Sequence, residues 1–398
     1  MDFASQIAPS SVGVYVQVPF CQAKCSYCNF STGVFRAEAY APYVDAVCAE
    51  ILGHAAFYRD AGLGVWQQAA GRAAVDTIYI GGGTPSLLAP GELGRILDAV
   101  RRAFDGSPSE VTLEADPETV TEEKARAWRE AGFNRVSLGS QSFSDVELKA
   151  VGRRHRRADI YTAIECLREA GLDNVSFDLI AGLPHQTRES WHNSLEELLS
   201  LRPRHISIYL LELDEGSRLG RETLAGGLRY GVAALPEDDA AAASYEHACE
   251  RLVGEGYDHY EISNWALPGF RSRHNLKYWR REPYLGFGAG AHSFDGVERW
   301  ANSHDPMAYA ASIKEQRLPV EQRESVDARQ ALEEELFLGL RQLDGIDLES
   351  VERRYQVDLG ERLRPLEDEG LVETYQGRLR LAPSRLTVSN EVFVRLLD

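Results

Sequence analysis

Residues 15–30 read YVQVPFCQAKCSYCNF, in which a β-rich run leads directly into three cysteines spaced C-x3-C-x2-C. Cys21, Cys25 and Cys28 therefore lie on the loop that leaves the first predicted strand. A structural zinc site has four ligands, and no fourth Cys or His follows at zinc-finger spacing, since the nearest, His54, is on a predicted helix. Cubane iron–sulfur clusters take one soft thiolate at each iron, so three cysteines leave one iron open. The spacing favours such a cluster over zinc or unligated thiols.

The other three cysteines, Cys48, Cys166 and Cys249, are isolated on predicted helices, where a free Cys acts as a small apolar side chain. The start MDFASQIAPSS lacks a basic segment and an apolar segment, and no run approaches about 18 apolar residues. We therefore expect reduced thiols and a cytoplasmic protein.

Five further β-rich runs follow the first one. The six runs are VGVYVQV from Val12, VDTIYI from Val75, EVTLEA from Glu110, RVSLGS from Arg135, NVSFDLI from Asn174 and HISIYLLEL from His205. The segments between them carry apolar residues three and four apart, a spacing typical of amphipathic helices. Successive βαβ units give a parallel sheet. The pattern predicts an α/β fold, either an open (β/α)6 barrel or an open doubly wound sheet, with the motifs at the carboxyl ends of the strands.

The composition changes twice after the sixth run. Residues 214–239 carry five glycines and predict a mobile loop over the strand ends. From about residue 321, predicted helices precede a hairpin with Gln376 and Gly377 at its turn, which indicates a winged-helix-like domain. We predict a barrel over 1–235, an aromatic and basic extension over 236–320, and a C-terminal helical domain over 321–398.

The net charge of −18 repels phosphate backbones and disfavours general nucleic-acid binding. Residues 321–398 hold 18 acidic residues against 11 arginines and no lysine, whereas a DNA-binding wing should be basic. We interpret this domain as a packing or partner module.

One segment is strongly basic, in contrast to the acidic chain as a whole. Residues 271–281, RSRHNLKYWRR, hold five basic residues and no acidic one, and aromatic residues surround them. Aromatic faces can stack on a flat macrocycle while Arg and Lys meet its carboxylates, and imidazole is a usual haem ligand. His274 is therefore a candidate haem ligand. The alternative is an ordinary basic surface with a packed histidine.

Polar residues follow the later predicted strands. Gly81, Gly82 and Gly83 follow the second, where backbone N–H groups can approach a ligand, although such a turn is often only a turn. Glu114 ends the third strand and can accept hydrogen bonds from ribose hydroxyls or be a solvated carboxylate. Asp178 lies in an apolar strand and should not be buried unpaired, which favours a ligand or a charged partner there.

The motifs YVQVPFCQAKCSYCNF, YIGGGTPSLL, TLEADPETV, VSLGSQSF, FDLIAGLPHQT and HNLKYW occur in this order. Together they resemble the radical S-adenosylmethionine (SAM) superfamily, in the branch of oxygen-independent coproporphyrinogen oxidase and the HemW haem chaperones. The resemblance implies a 4Fe-4S cluster on Cys21, Cys25 and Cys28, whose open iron binds SAM. HNLKYW resembles the HNxxYW motif associated with haem, which implies a haem contact at His274. Positions implied at the SAM site are Tyr15, Tyr27, Gly82, Gly83, Thr84, Glu114, Gln141, Arg153 and Asp178. For Arg153 the alternative is a solvated basic face, and for Tyr15 and Tyr27 it is the core.

Three residues depart from the branch's pattern. Gln17 replaces the His usual before PFC, and Asn29 replaces the Asp common after the third Cys, which puts the fine tuning of the cluster pocket in doubt. Phe30 stands where the oxidase has a further Cys, and only twenty residues precede Cys21, whereas the oxidase has a longer N-terminal extension.

These departures favour a haem chaperone that binds a 4Fe-4S cluster, SAM and haem and delivers haem to acceptor apoproteins. The alternative is an enzyme that decarboxylates the propionates of coproporphyrinogen III. An RNA-modifying radical enzyme is disfavoured by the net charge. The resemblance leaves open a peripheral membrane contact and a homodimer.

Overall fold

The computed structural model describes residues 11–63 and 72–397. The strands within these ranges are β1 (Val12–Val18), β2 (Phe20–Cys21), β3 (Gly33–Val34), β4 (Val75–Gly82), β5 (Glu110–Ala115), β6 (Arg135–Gln141), β7 (Val175–Ala181), β8 (His205–Leu210), β9 (Asp258–Glu261), β10 (Asn264–Ala266), β11 (Tyr284–Phe287), β12 (His292–Phe294), β13 (Glu298–Asn302), β14 (Val320–Ser325), β15 (Val372–Tyr375) and β16 (Arg378–Leu381).

The helices are α1 (Tyr40–Asp60), α2 (Pro90–Ala103), α3 (Glu122–Ala131), α4 (Asp145–Ala150), α5 (Arg157–Glu169), α6 (Arg188–Ser200), α7 (Arg218–Leu224), α8 (Asp238–Gly254), α9 (Arg273–Trp279), α10 (Pro306–Lys314), α11 (Ala328–Leu340), α12 (Leu348–Tyr355), α13 (Gly360–Asp368) and α14 (Ser389–Leu397). Among the described helices, none combines the length and the apolar character that a membrane span requires.

The six predicted strands pair in parallel in chain order, as β1, β4, β5, β6, β7 and β8. One face of each strand is apolar. In β1 the residues Val12, Val14, Val16 and Val18 are fully buried, and helices such as α2 cover this face with Leu93 and its buried neighbours. The opposite face carries polar side chains. The predicted α/β class with a large parallel sheet is confirmed.

The sheet extends beyond these six strands at both edges. In the part of the chain that the structure describes, the sheet has twelve strands in the order β14-β13-β12-β11-β1-β4-β5-β6-β7-β8-β10-β9. β11 runs parallel to β1, with Tyr15 opposite Gly286, so the first strand lies in the interior of the sheet. Within the described ranges the outer strands β14 and β9 do not pair with each other, so the sheet is open.

The prediction of a loop over residues 214–239 is wrong. The segment contains α7, a 3-10 helix over Arg229–Ala234 and the start of α8. Ser217 caps α7 by accepting a hydrogen bond from the Gly220 N–H at 2.9 Å, which offsets the weak helix propensity of the glycines. The Leu219 N–H donates to the Ser26 carbonyl at 2.8 Å, so α7 packs on the cysteine loop.

The C-terminal region is helical and contains the predicted hairpin. Asp327 and Gln330 form a capping box at the start of α11, and β15 pairs antiparallel with β16 across Gln376 and Gly377. After the hairpin, a 3-10 helix over Pro383–Val388 leads into α14. The domain boundaries at 235 and 320 stay predictions.

A buried carboxyl group joins α1 to the strands beside β1. Glu50 is 1% exposed and accepts hydrogen bonds from the Gly288 N–H at 2.9 Å, Asn302 Nδ2 at 2.7 Å and the Tyr309 hydroxyl at 2.6 Å. Tyr43, about two turns earlier on the same face of α1, donates to the Gln17 carbonyl at 2.8 Å. Burial raises the pKa of Glu50 to about 7.

This pKa predicts a pH-dependent stability difference between the protein and its Glu50→Gln variant. The carboxyl group is protonated more readily in the folded chain than in the unfolded chain, so its contribution is greatest at low pH and falls as the pH rises towards about 7. The loss amounts to about 3 kcal/mol, which the variant should not show. Urea unfolding of both proteins between about pH 5 and pH 8 measures the difference, and a difference independent of pH would contradict the assignment.

Candidate functional site

A cavity of about 470 Å³, here called the main cavity, runs along the polar inner face of the parallel strands. Eleven of the thirteen residues singled out from the sequence line it, whereas Tyr15 and His274 do not. The eleven are Cys21, Cys25, Tyr27, Cys28, Gly82, Gly83, Thr84, Glu114, Gln141, Arg153 and Asp178. The parallel pairing explains this meeting, because strand ends and their loops then lie at one edge of the sheet.

The cysteine loop is held in place by backbone hydrogen bonds. Cys21 ends β2, and the Thr84 N–H donates to the Phe20 carbonyl at 2.7 Å, which ties the loop to the glycine turn after β4. The Ser26 N–H donates to the Val151 carbonyl at 3.0 Å. Burial raises the pKa of Cys21 to about 11 and also raises the pKa of Cys25.

The three thiols fit an iron–sulfur cluster better than a single metal ion. In residues 11–63 and 72–397, no three His, Cys, Asp or Glu side chains are grouped so that they could hold one ion. A cubane cluster presents a different iron to each thiolate, so its cysteines need not meet at one point. A Cβ atom at Gly83 would lie 2.6 Å from the Phe20 carbonyl oxygen and 3.0 Å from Cys21 Sγ, so only glycine leaves the space beside this thiol open.

Gly82, like Gly83, is a position at which the site requires glycine. Its φ of +115° is in the region that glycine favours, and its N–H donates to Glu114 Oε2 at 2.8 Å. A Cβ atom there would lie 2.5 Å from the side-chain amide of Gln17. The turn is therefore packed between β1 and β5, with its backbone along the main cavity.

Arg153 places a buried positive charge beside the cysteines. Its guanidinium forms an ion pair with Asp116, donates to the Gly139 carbonyl at 2.6 Å and lies 3.9 Å from Cys25 Sγ. The side chain is 9% exposed, so it is not part of a solvated basic face. Asp116 also accepts from the Thr84 hydroxyl at 3.0 Å, which connects the loops that follow β4, β5 and β6.

Two buried carboxyl groups face the main cavity. Glu114 accepts hydrogen bonds from the Tyr79 hydroxyl and the Gly82 N–H, both at 2.8 Å, and burial raises its pKa to about 7. Asp178 accepts from the Ser137 hydroxyl at 3.2 Å, and burial raises its pKa to about 6. Neither forms a salt bridge with a described Arg, Lys or His, so both retain capacity for ligand hydroxyl or amino groups.

Gln141 ends β6 with a φ of +62°, an uncommon conformation for a residue other than glycine. Such strain concentrates at functional sites. Tyr27 also lines the cavity and packs beside Val151, Ile180 and Leu183. Tyr15 lies deeper, where its hydroxyl bonds Gln17 Oε1 and its ring stacks on Tyr79 at 6.1 Å.

His274 is fully buried outside the main cavity. Nδ1 is 2.9 Å from Thr77 Oγ1, and Nε2 is 2.9 Å from the Tyr278 hydroxyl. Burial lowers its pKa to about 3, so the ring is neutral at ordinary pH. Both ring nitrogens are engaged, and a haem contact through His274 requires one of these hydrogen bonds to break.

Three of the five basic residues in 271–281 have acidic partners. The pairs are Arg271 with Asp258 and Asp344, Lys277 with Asp76 and Glu282, and Arg281 with Glu334. Arg273 and Arg280 are exposed. A second cavity of about 260 Å³, here called the aromatic cavity, adjoins this segment. Its lining is Tyr278, Arg281, Tyr284, Phe294, Arg299, Glu334, Phe337 and Leu338.

Several lining residues were not predicted from the sequence. Asp116 was visible within the motif TLEADPETV as a second acidic residue after Glu114. Arg135 was visible as a charged residue opening an otherwise apolar strand. Tyr79 and Arg341 carry no local signal, because only the sheet and the fold of the C-terminal region bring them near the cavity.

The other three cysteines lie away from the main cavity, and so does His54, the nearest candidate for a fourth zinc ligand. Cys48, Cys166 and Cys249 pack against the apolar core and do not line the main cavity. His54 bonds the Ile51 carbonyl of its own helix at 2.7 Å and stacks on Phe104 at 4.6 Å. It is not a fourth ligand beside the cysteine loop.

Comparison with family descriptions gives two matches. Residues 15–198 match the Radical SAM superfamily, and residues 326–384 match the HemN C-terminal domain. The first span contains the cysteine loop and the strands of the site, and the second contains α11 to α13 and the hairpin.

Curated relatives extend the similarity over the whole chain. The heme chaperone HemW of Bacillus subtilis is 33% identical over 385 residues, which cover 95% of this chain and 97% of that protein. The heme chaperone HemW of Mycobacterium tuberculosis is 36% identical and covers 92% of each chain. Among solved structures, coproporphyrinogen III oxidase (HemN) from Escherichia coli has a TM-score of 0.82 at 21% identity, covering 99% of this chain and 91% of that one. This last similarity establishes the fold alone.

The placement of the six cysteines predicts which thiols hold iron. After anaerobic reconstitution we expect about four irons per chain. Cys25→Ala should abolish the visible absorption of the cluster, because Cys25 lines the main cavity beside Arg153. Cys166→Ala is the matched control and should retain iron and spectrum, since Cys166 lies on α5 against the core. A folded Cys166→Ala protein without a cluster would overturn the assignment.

Proposed function

The chain belongs to the HemW family of the radical SAM superfamily, and we propose that it is a haem chaperone that holds a 4Fe-4S cluster and SAM in the main cavity, binds haem and passes it to acceptor proteins. The observation that carries the proposal is the meeting of three thiols, a glycine turn and two buried carboxyl groups in one cavity. Full-length similarity to proteins named heme chaperone HemW supports the chaperone assignment.

Cys21, Cys25 and Cys28 would hold the cluster. A 4Fe-4S cluster bound there supplies one-electron chemistry and an iron with an open coordination position. Gly83 leaves the space beside Cys21 free, and the Arg153 guanidinium 3.9 Å from Cys25 Sγ offsets negative charge on the thiolates. The protein thus provides shape and a counter-charge for an anionic group.

SAM would lie between the glycine turn and the inner face of β5 to β7. Glu114, at the end of β5, would accept hydrogen bonds from the ribose hydroxyls, and Gln141 and Asp178 would offer further polar contacts. Thr84 and Tyr27 line the same side as the cysteines, and Tyr15 supports the site through Gln17 and Tyr79. The backbone at Gly82 approaches the ligand closely because no side chain intervenes.

Haem would bind beside α9, at the aromatic cavity. Tyr278, Tyr284 and Phe294 offer ring faces there. Arg281 and Arg299 both pair with Glu334, so the three side chains together leave one net positive charge for propionates. Tyr278 bridges this cavity to His274 through the 2.9 Å hydrogen bond, so the two residues are the candidates for the iron ligand. Arg273 and Arg280 remain exposed on the same segment.

Phe30 argues against the oxidase alternative. It is 66% exposed and lines the mouth of the main cavity, at the position where the oxidase has a further cysteine. A phenyl ring supplies neither a thiol nor a proton-transfer group. The proposed site of action is the cytoplasm, where the six free thiols would stay reduced.

The raised pKa of Glu114 predicts that SAM binding tightens as the pH rises. The carboxylate accepts hydrogen bonds from ribose hydroxyls better than the protonated acid, so affinity should increase up to about tenfold between about pH 6 and pH 8. Glu114→Gln should weaken binding and flatten the profile. Equilibrium dialysis of SAM against the reconstituted protein measures both effects. The surface variant Glu197→Gln is the control and should keep the wild-type profile, and an unchanged profile in Glu114→Gln would reject the contact.

Haem titration tests the chaperone assignment. We expect a Soret band at about one haem per chain, and His274→Ala and Tyr278→Phe should each shift or weaken it, because the two side chains are hydrogen-bonded. Tyr375→Phe on the exposed hairpin is the control and should bind as the wild type does. The assignment fails if the wild type binds no haem or if both variants keep its spectrum and affinity. With SAM, reductant and coproporphyrinogen III, the protein should yield no protoporphyrinogen, and sustained turnover would instead favour the oxidase.

A further inference from the structure

Arg135, the first residue of β6, lies at the deep end of the main cavity. It is 2% exposed to solvent and lines the cavity together with Arg341 and Asn275. Gln141, which lies at the SAM end, is six residues further along the same strand. At the rise of a β-strand this separation is about 20 Å. The deep end is therefore a different part of the cavity from the proposed SAM site.

Among the described residues, no acidic group lies within salt-bridge distance of the Arg135 guanidinium, and the Asp178 carboxyl group acts on it electrostatically from beyond that distance. Neither a hydrogen bond nor a salt bridge joins its side chain to residues 11–63 or 72–397, and its Nε is buried without an acceptor. Thr112 Oγ1, which is opposite Arg135 in the pairing of β5 with β6, is also buried without a partner. Thr112 does not line the cavity itself, whereas Arg341 lines it and also has a buried Nε without an acceptor among the described residues. Two unsatisfied arginine nitrogens thus adjoin the cavity.

An unpaired buried guanidinium is costly. Arginine does not deprotonate in proteins, so it cannot escape this cost by losing its charge. A buried charge without a close partner of opposite charge reduces the stability of the fold. A bound anion would offset the cost, and a planar carboxylate accepts two parallel hydrogen bonds from guanidinium.

The neighbouring groups suit the same ligand chemistry. Arg341 adds a second positive charge, although Glu261 lies 3.6 Å from it and compensates part of that charge. Asn275 and Ser207 add side chains that can donate hydrogen bonds. Asp178 on β7 is the acidic residue at the boundary with the SAM end, where it accepts hydrogen bonds from the Ser137 hydroxyl of β6 and interacts electrostatically with Arg135.

We propose that the deep end of the main cavity binds the carboxylate of an organic ligand other than SAM, with Arg135 as its anchoring group. The carboxylate could belong to a free dicarboxylic acid or to a porphyrin propionate. This site is separate from the aromatic cavity, so it does not depend on the haem assignment.

The test compares the reconstituted, SAM-loaded protein with its Arg135→Met variant. The probes are succinate, protoporphyrin IX and the dimethyl ester of protoporphyrin IX, and the readouts are the melting temperature and the dissociation constant. At least one free-acid probe should stabilise the wild type, and Arg135→Met should weaken its binding by about 10- to 100-fold. Stabilisation by succinate identifies a free dicarboxylate, whereas stabilisation by protoporphyrin but not by its ester identifies a propionate.

The melting temperature without probe distinguishes a ligand site from a structural role. Because Met removes an unpaired buried charge at similar volume, Arg135→Met should melt at the wild-type temperature or above it. Arg251→Met, which breaks an ion pair with Glu196 on the surface, is the control and should leave probe binding unchanged. The proposal is overturned if no free-acid probe stabilises the wild type, if Arg135→Met binds as tightly, or if that variant melts lower or fails to fold.

Discussion

The in-order parallel pairing of six strands is the constraint on which the candidate site depends. It brings the loops after β1, β4, β5 and β6 to one edge of the sheet, although they lie far apart in the chain. The apolar face of each strand packs under the helices, which leaves the polar face for the cavity. The ion pair of Arg153 with Asp116 then joins three of these loops beside Cys25.

The polar inner face has an energetic consequence. Glu114 and Asp178 are buried, and their pKa values are raised because water no longer solvates the carboxylates. Arg135 is buried, and none of the described acidic residues lies within salt-bridge distance of its guanidinium. Such groups reduce the stability of the ligand-free fold, and ligands that bring complementary hydrogen bonds or charge recover part of it. The same groups that weaken the empty barrel therefore define what it binds.

The sequence was sufficient for the strands and for most of the site. Apolar runs at βαβ spacing identified β1 and β4 to β8, and the cysteine spacing drew attention to a loop that does line the main cavity. The four-residue strand β11 was not predicted, because its pairing with β1 depends on contacts distant in the chain. The acidic partners of Arg271, Lys277 and Arg281 were missed for the same reason. The sequence therefore suggested more unneutralised positive charge in residues 271–281 than the folded chain has.

The central claim is that the cluster and SAM meet in the main cavity. The most direct measurement is the EPR spectrum of the reduced, reconstituted protein with and without SAM. If SAM binds the open iron, its addition should change the g-values of the cluster signal. A reduced 4Fe-4S signal that SAM leaves unchanged at saturating concentration would contradict the claim.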